Sequence, residues 1–288
     1  MNVQFHKMNG LGNEIVVIDA RDGGFALDAD AARLIGNPAT GPGCDQIMVI
    51  EPGRKGADVW TSIWNNSGEE VEACGNGARC VAAYLFKADL FQESGATQLT
   101  MGTLGGTIVA TDAGDGNITI DMGRPRFDWQ DIPLSEEIRD TRAIELQIGP
   151  IDDPILHSPS VANVGNPHAI FWVTDADAYD LEKIGPMLEN HPIFPERANI
   201  SLAQVIDDKT IRTRVWERGA GATRACGTAA CAIGVSAART GRTGRDVSVH
   251  LPGGPLRIQW READDHILMT GPAEFEFSGD IDLSGTAA

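Results

Sequence analysis

Ala73-Cys74-Gly75-Asn76-Gly77-Ala78-Arg79-Cys80 and Ala225-Cys226-Gly227-Thr228-Ala229-Ala230-Cys231 are near-copies of one another, and each carries a cysteine at the same place. Cys74 and Cys226 stand 152 positions apart in a chain of 288 residues. At the same offset Trp64 falls on Trp216, and at 153 Asn13 falls on Asn166 and Gln46 on Asn199. Solenoid repeats run about 20 to 50 residues, so a period this long predicts a duplicated domain. Each copy is then expected to present one cysteine to a shared cleft.

Composition bounds the class. The length suits two domains, each able to bury its own core. Lys+Arg 23 against Asp+Glu 41 leave a formal charge of −18, which repels nucleic acid and anionic membranes and favours solubility. Neither is expected as a partner. The start, Met1-Asn2-Val3-Gln4-Phe5-His6-Lys7, has no basic region followed by a long apolar stretch, and no run approaches a membrane span. A soluble cytoplasmic protein is expected. Five cysteines is an odd number, and their spacing is not that of a small disulfide scaffold. Thiols in a reducing compartment fit better.

Along the first half, Val3–Met8 alternates like a strand, Asn9-Gly10-Leu11-Gly12-Asn13 turns, and Ile15–Asp19 reads as a buried strand, giving a hairpin-like start. Asp28–Ile35 has helical spacing. Gln46–Ile50 and Val59–Trp64 read as strands, and a helix opens at Cys74 and runs through Phe86, followed by Gly-rich strands to about Met122. The second half repeats the plan: Ala162–Val173 as strand, Asp180–Glu189 as helix, Ile200–Ile206 and Ile211–Trp216 as strands, and a helix from Cys226 through Ala238. Gly with Pro at Met122-Gly123-Arg124-Pro125 and Thr270-Gly271-Pro272 marks crossovers. The expected domains are 1–122 plus 273–288, carrying Cys74, and 123–272, carrying Cys226. Phe275 and Phe277 are expected to add a last strand to the first domain, and 284–288 to fray.

A cysteine at a helix start faces unpaired N–H groups and the positive end of the helix dipole, which lowers a thiol pKa and makes it a usable base. The glycines at 75, 77 and 227 let backbone N–H groups approach a substrate carboxylate. Two such helix starts facing one α-carbon would invert it: one thiolate removes the proton and the opposite thiol supplies another, while N–H donors stabilise the carbanion. Arg218, eight residues before Cys226, offers a fork-shaped clamp for a carboxylate. Asn13, Asn65, Asn166 and Asn199 occupy symmetric turns or strand ends.

Plainer readings stand beside these. Cys44, Cys80 and Cys231 read as small core residues. Arg218 could form an ordinary surface salt bridge, and the asparagines could simply be turn residues. His168 reads equally as a second-sphere hydrogen-bond partner, a ligand or a core histidine. Cys74 with Cys80 and Cys226 with Cys231 resemble a four-thiol zinc set. At about 100° per residue, however, spacings of six and five turn the side chains away from one metal, so no metal site is expected. Gly10-Leu11-Gly12 lacks the third glycine and the helix of a dinucleotide loop. A thiol-disulfide redox protein would more naturally carry Cys-x-x-Cys.

With these residues in place the chain resembles the diaminopimelate epimerase family over essentially its whole length. The resemblance rests on Met8-Asn9-Gly10-Leu11-Gly12-Asn13, Cys44-Asp45-Gln46, Asn65 through Cys80, Gly165-Asn166-Pro167-His168, Pro195-Glu196-Arg197-Ala198-Asn199, Trp216-Glu217-Arg218-Gly219, Ala225-Cys226-Gly227-Thr228 and Leu251-Pro252-Gly253-Gly254. It implies an α/β fold of the α+β type: two homologous domains, each a strongly bent mixed sheet around a central helix, with the active site in the interdomain cleft. It also implies interconversion of LL- and meso-diaminopimelate on the route to lysine and cell-wall precursors, without pyridoxal phosphate, metal or any other cofactor. Cys74 and Cys226 match the family's catalytic thiols. Asn13, Gln46, Asn65, Asn166, Asn199, Glu217 and Arg218 match its substrate-site residues, and Gly75-Asn76 with Gly227-Thr228 match its carboxylate-binding helix starts. Diaminopimelate and, as a homodimer, a second copy of the chain are the partners in view. Asn9, Glu14 and Ala222 depart from the family's usual histidine, aspartate and the glutamate of Gly-Glu-Thr.

Overall fold

The computed structural model describes residues 1–72, 74–87 and 96–284. Those residues form a mixed α/β structure dominated by strands, with four α-helices. Contacts between Cα atoms divide the chain into two compact units, Met1–Asp121 with Thr270–Ala288, and Met122–Met269.

In the first unit β1 (Asn2–Asn9) and β2 (Glu14–Asp19) form the expected hairpin, with His6 opposite Val17 and Asn9 opposite Glu14. The last strand, β19 (Glu274–Asp282), lies antiparallel along β1 and completes this unit's sheet from the other end of the sequence, as Phe275 and Phe277 foretold. The expected frayed tail, apart from Ser284, lies outside the described residues. Helix α1 (Ala29–Gly36) starts where the side chain of Asp28 accepts the Ala31 N–H, a cap that satisfies one of the helix's unpaired donors. β3 (Gln46–Pro52) and β4 (Val59–Asn65) follow, then the short β5 (Glu70–Val71) and helix α2 (Gly75–Lys87). The Gly-rich stretch beyond resolves into β6 (Gln98–Thr103), β7 (Gly106–Gly114) and β8 (Asn117–Asp121).

In the second unit, β9 (Gln147–Ile148) and β10 (Leu156–His157) make a small separate ladder. β11 (Ser160–Asn163) and β12 (Pro167–Trp172) replace the single strand expected over Ala162–Val173. The chain reverses at Gly165, whose φ of 110° is open only to glycine, and the two strands pair antiparallel, with Asn163 opposite Pro167. Helix α3 (Leu181–Glu189) is capped by Asp180. β13 (Asn199–Val205), β14 (Thr210–Glu217), β15 (Gly221–Thr223), helix α4 (Gly227–Arg239), β16 (Asp246–Leu251), β17 (Gly254–Trp260) and β18 (Ile267–Pro272) follow.

The two units repeat one another element by element. An offset of 153 carries β2 onto β12 and β3 onto β13, and an offset of 152 carries α2 onto α4, end for end. The pairing repeats as well: β2–β3 and β12–β13 are parallel, β3–β4 and β13–β14 antiparallel, β4–β6 and β14–β16 parallel. Both α2 and α4 are buried over most of their length, so neither shows the one-sided apolar stripe of a surface helix. Helix α2 packs on β2, β3, β7 and β8, and α4 on β11, β12, β13, β16 and β17. Residues 123–159 supply Ile132, Leu134, Ile144, Leu146 and Leu156 to the core beneath α3 and β12.

Candidate active site

In the first unit β2 and β3 run parallel with Ile15 opposite Gln46, and β4 returns with Asn65 opposite Gln46. The starts of β2 and β3 and the end of β4 therefore share one edge of the sheet. That edge gathers Asn13, Gln46 and Asn65. Gln46 Nε2 donates to Asn65 Oδ1 at 3.1 Å. Asn13 Oδ1 and Gln46 Oε1 are buried with no hydrogen-bond partner among the described residues. A buried acceptor left without a donor costs about 1–3 kcal/mol, so this edge offers two acceptors that an N–H donor would satisfy.

Helix α2 starts against the same turn: a Cβ built on Gly10 would lie 3.1 Å from the Cβ of Asn76, which is buried and accepts Arg79 Nη2 at 3.1 Å. Cys74, half-buried, immediately precedes the helix, and its carbonyl accepts the Ala78 N–H at 2.8 Å. Its Sγ accepts the Gly77 N–H at 3.1 Å. Glycine at 77 leaves room for that approach, since a Cβ there would come within 2.5 Å of Met48 Sδ and force that side chain or the helix start to shift. Gly75, next to the thiol, opens the helix with its N–H among the unpaired donors of the first turn.

The second unit builds the same edge from β12, β13 and β14, with His168 opposite Asn199 and Ile200 opposite Trp216. It gathers Asn166, Asn199, Glu217 and Arg218. Asn199 opens β13. It is buried, its Nδ2 donates to the Pro167 carbonyl at 3.0 Å, and its Oδ1 accepts the Arg218 N–H at 2.9 Å. His168 is fully buried with its Nε2 2.7 Å from Asn166 Oδ1. Burial, and secondarily the charge of Arg218, pushes the His168 pKa down to about 3, so the ring is neutral and serves as a rigid neighbour of Asn166. Arg218 is exposed, donates from Nη1 to the Glu196 carbonyl at 2.9 Å, and has no ion pair among the described residues. Its guanidinium therefore keeps donors for a ligand, and the surface-salt-bridge alternative is not what it makes.

Cys226 caps α4: its carbonyl accepts the Ala230 N–H at 3.1 Å, and its Sγ lies 3.5 Å from Thr228 Oγ1. Gly227, buried, is the first helical residue. The expectation that a helix start lowers the thiol pKa is overturned here. Cys226 is only 4% exposed, and burial first, then the Glu217 carboxylate, raises its pKa well above the usual value. The Thr228 and Ala229 hydrogen bonds act the other way and are outweighed. Thr223 Oγ1 donates to Glu217 Oε1 and fixes that carboxylate beside the sulfur. Thr223 was not singled out from the sequence; its place directly after Ala222, in the hairpin that carries Glu217, was the available signal. Ala222 itself is exposed and pairs with Trp216, so the carboxylate facing Cys226 comes from Glu217.

The remaining cysteines are core thiols as expected: Cys44, Cys80 and Cys231 are buried, and burial lifts Cys44 and Cys80 to about 12. Among the described residues no three His, Cys, Asp or Glu side chains gather as a metal site.

A family model described as diaminopimelate epimerase matches residues 5–127 and 160–276. The diaminopimelate epimerase of Brucella anthropi is 59% identical over 281 residues, covering 96% of this chain and 91% of that protein. Among solved structures, a PhzF-family phenazine biosynthesis protein of Bacillus anthracis aligns over 98% of this chain and 100% of its own with a TM-score of 0.67 at 15% identity. A probable proline racemase from Agrobacterium radiobacter K84 aligns over 98% and 93% with a TM-score of 0.65 at 16% identity. At such identities the likeness to the solved structures is one of fold.

Proposed function

The chain belongs to the diaminopimelate epimerase family, and we propose that it interconverts LL- and meso-2,6-diaminopimelate by proton transfer between two thiols, in lysine and peptidoglycan precursor biosynthesis. Cys74 and Cys226 serve opposite faces of the substrate α-carbon: a thiolate removes the α-proton on one face and a thiol returns a proton on the other. The Gly75-Asn76 and Gly227-Thr228 amides, at the two helix starts, stabilise charge as it builds on the α-carboxylate. Asn13, Gln46, Asn65, Asn166, Glu217 and Arg218 hold the rest of the substrate, and Asn199 acts through the Arg218 amide it anchors. Such a thiol pair with these amides supplies acid, base and charge stabilisation from the chain itself, so the step needs no cofactor.

The observation that carries this reading is the matched construction of the two units, each with a cysteine one residue ahead of a buried 13-residue helix and a polar strand edge at the same place in its repeat. The buried, unpartnered oxygens of Asn13 and Gln46 suit a substrate that brings ammonium N–H donors. In the ligand-free protein, burial and Glu217 favour the protonated form of Cys226, which suits the acid member of a thiolate/thiol pair.

The test is proton NMR in D₂O with LL-diaminopimelate and L-proline offered separately. Deuterium is expected at the α-carbon of diaminopimelate, with meso isomer accumulating, and none in proline. Cys74→Ala and Cys226→Ala, each folded, are expected to lose epimerisation by at least the roughly 10²- to 10⁴-fold that one general acid or base contributes. Exchange with proline alone would remove the substrate, and near-normal turnover in either folded variant would remove the two-thiol mechanism.

A further inference from the structure

Glu189 is a buried carboxylate that the proton-transfer chemistry does not use. It is the last residue of α3, 5% exposed. The position is unfavourable for a negative side chain: the C-terminal end of a helix carries the negative end of its dipole, and α3 has no basic residue in its last turn. Burial adds a desolvation cost. The side chain therefore brings nothing to the helix that carries it, and its partners explain its presence. Glu189 Oε2 accepts Trp216 Nε1–H at 2.7 Å, and Oε1 accepts the Gly219 N–H at 3.0 Å and Arg197 Nη1–H at 3.1 Å. Trp216 and Gly219 bracket Glu217 and Arg218. Arg197 follows Glu196, whose carbonyl accepts Arg218 Nη1.

The internal repeat supplies a control within the same molecule. At the 153-residue offset that carries β3 onto β13, Glu189 falls on Gly36, and at the 152-residue offset that carries Trp64 onto Trp216 the first-unit counterparts of Glu217 and Arg218 are Asn65 and Asn66. Gly36 sits directly against Asn66, where a Cβ would come within 2.5 Å of the Asn66 Cβ. The unit whose strand end carries short amides has a glycine at this place. The unit whose strand end carries a carboxylate and an arginine has a buried carboxylate with three donors converging on it.

We propose that Glu189 is a positioning residue for the Glu217–Arg218 strand end, fixing through Trp216 and the Gly219 amide the angle at which Arg218 meets substrate. This rests on the diaminopimelate reading above. All three groups aimed at Glu189 are donors, so Glu189→Gln, which puts an NH₂ where one acceptor oxygen stood, misdirects the segment without emptying the space.

The experiment is steady-state epimerisation of LL-diaminopimelate by wild type, Glu189→Gln, Arg218→Ala and the double variant, with circular dichroism and thermal melts on each. Glu189→Gln is expected to raise KM about tenfold or more with kcat changed less than about threefold. In the Arg218→Ala background the same substitution should cost no more than about twofold, because the group it positions is gone. A folded Glu189→Gln with wild-type KM, or losses that multiply in the double variant, overturns the proposal. If Glu189→Gln does not fold, Trp216→Phe takes its place, since it removes only the donor to Oε2; a several-fold rise in KM that vanishes in the Arg218→Ala background supports the proposal and an unchanged KM overturns it. Wild type inactive on diaminopimelate overturns the functional reading and this role together. Wild-type turnover with unaffected variants overturns this role alone.

Discussion

Cys226 is subject to opposed influences from its immediate neighbours. The helix start offers N–H donors and a favourable dipole, yet the sulfur is buried and faces Glu217, and the net shift is upward. Glu217→Gln keeps the burial and removes the charge, so the thiol pKa falls and more thiolate is present at a given pH. Iodoacetamide is expected to label Cys226 at least twofold faster in that variant at pH 8, as read by peptide mapping. An unchanged rate would assign the upward shift to burial alone. Thr223, by donating to Glu217 Oε1, makes the same carboxylate a fixed rather than a mobile charge.

At the scale of elements, the Cys74 thiol depends on how closely a helix start can approach a strand. On α2 that closeness is set by Gly77, whose N–H reaches Cys74 Sγ and whose missing side chain makes room for Met48, itself 1% exposed on β3. Alanine at 77 gains about 1 kcal/mol of helix propensity, while crowding a packed core costs about 1–3 kcal/mol. The net effect on stability is therefore small or mildly negative. The clash is relieved only by moving Met48 or the helix start that carries Cys74. Gly77→Ala is expected to fold, to melt within a few degrees of wild type, and to lose at least tenfold in kcat. A folded variant with normal kcat would show that the Gly77 approach to Cys74 is packing without consequence for turnover.

For the whole molecule, the two units repeat one plan but store different liabilities. The second holds a fully buried histidine whose pKa is about 3, against 6.5 for an ordinary histidine. Between those values the unfolded chain binds a proton that the folded chain refuses. Stability from this group is complete above about pH 6.5 and is lost as pH falls toward 3, at up to about 1.4 kcal/mol per pH unit. His168→Gln keeps a side chain able to bond Asn166 and deletes the titration. Urea unfolding at several pH values from 4.5 to 7.5 should show the wild-type slope exceeding that of the variant by close to one proton below about pH 5.5, with the difference vanishing toward pH 7.5. Equal slopes would place the acid sensitivity on the carboxylates instead.

Much of this was written locally in the chain. The repeat, the two helix starts with their cysteines, the β1–β2 hairpin and the strands β3, β4, β13 and β14 follow from spacing, because periodicity states which side of an element is buried. The core character of Cys44, Cys80 and Cys231 follows from the lack of any special context. Other features appeared only when distant elements met. Gly165 splits one apolar run into two strands, a choice made by what each half pairs with. Residues 123–159 reach the core with no strand longer than the two residues of β9 and β10, too short to carry a period. Asn199 turns inward, Cys226 is raised rather than lowered, and Glu189 gathers three donors. Each of these is a sum of burial and charge over residues far apart in sequence, which no local pattern encodes.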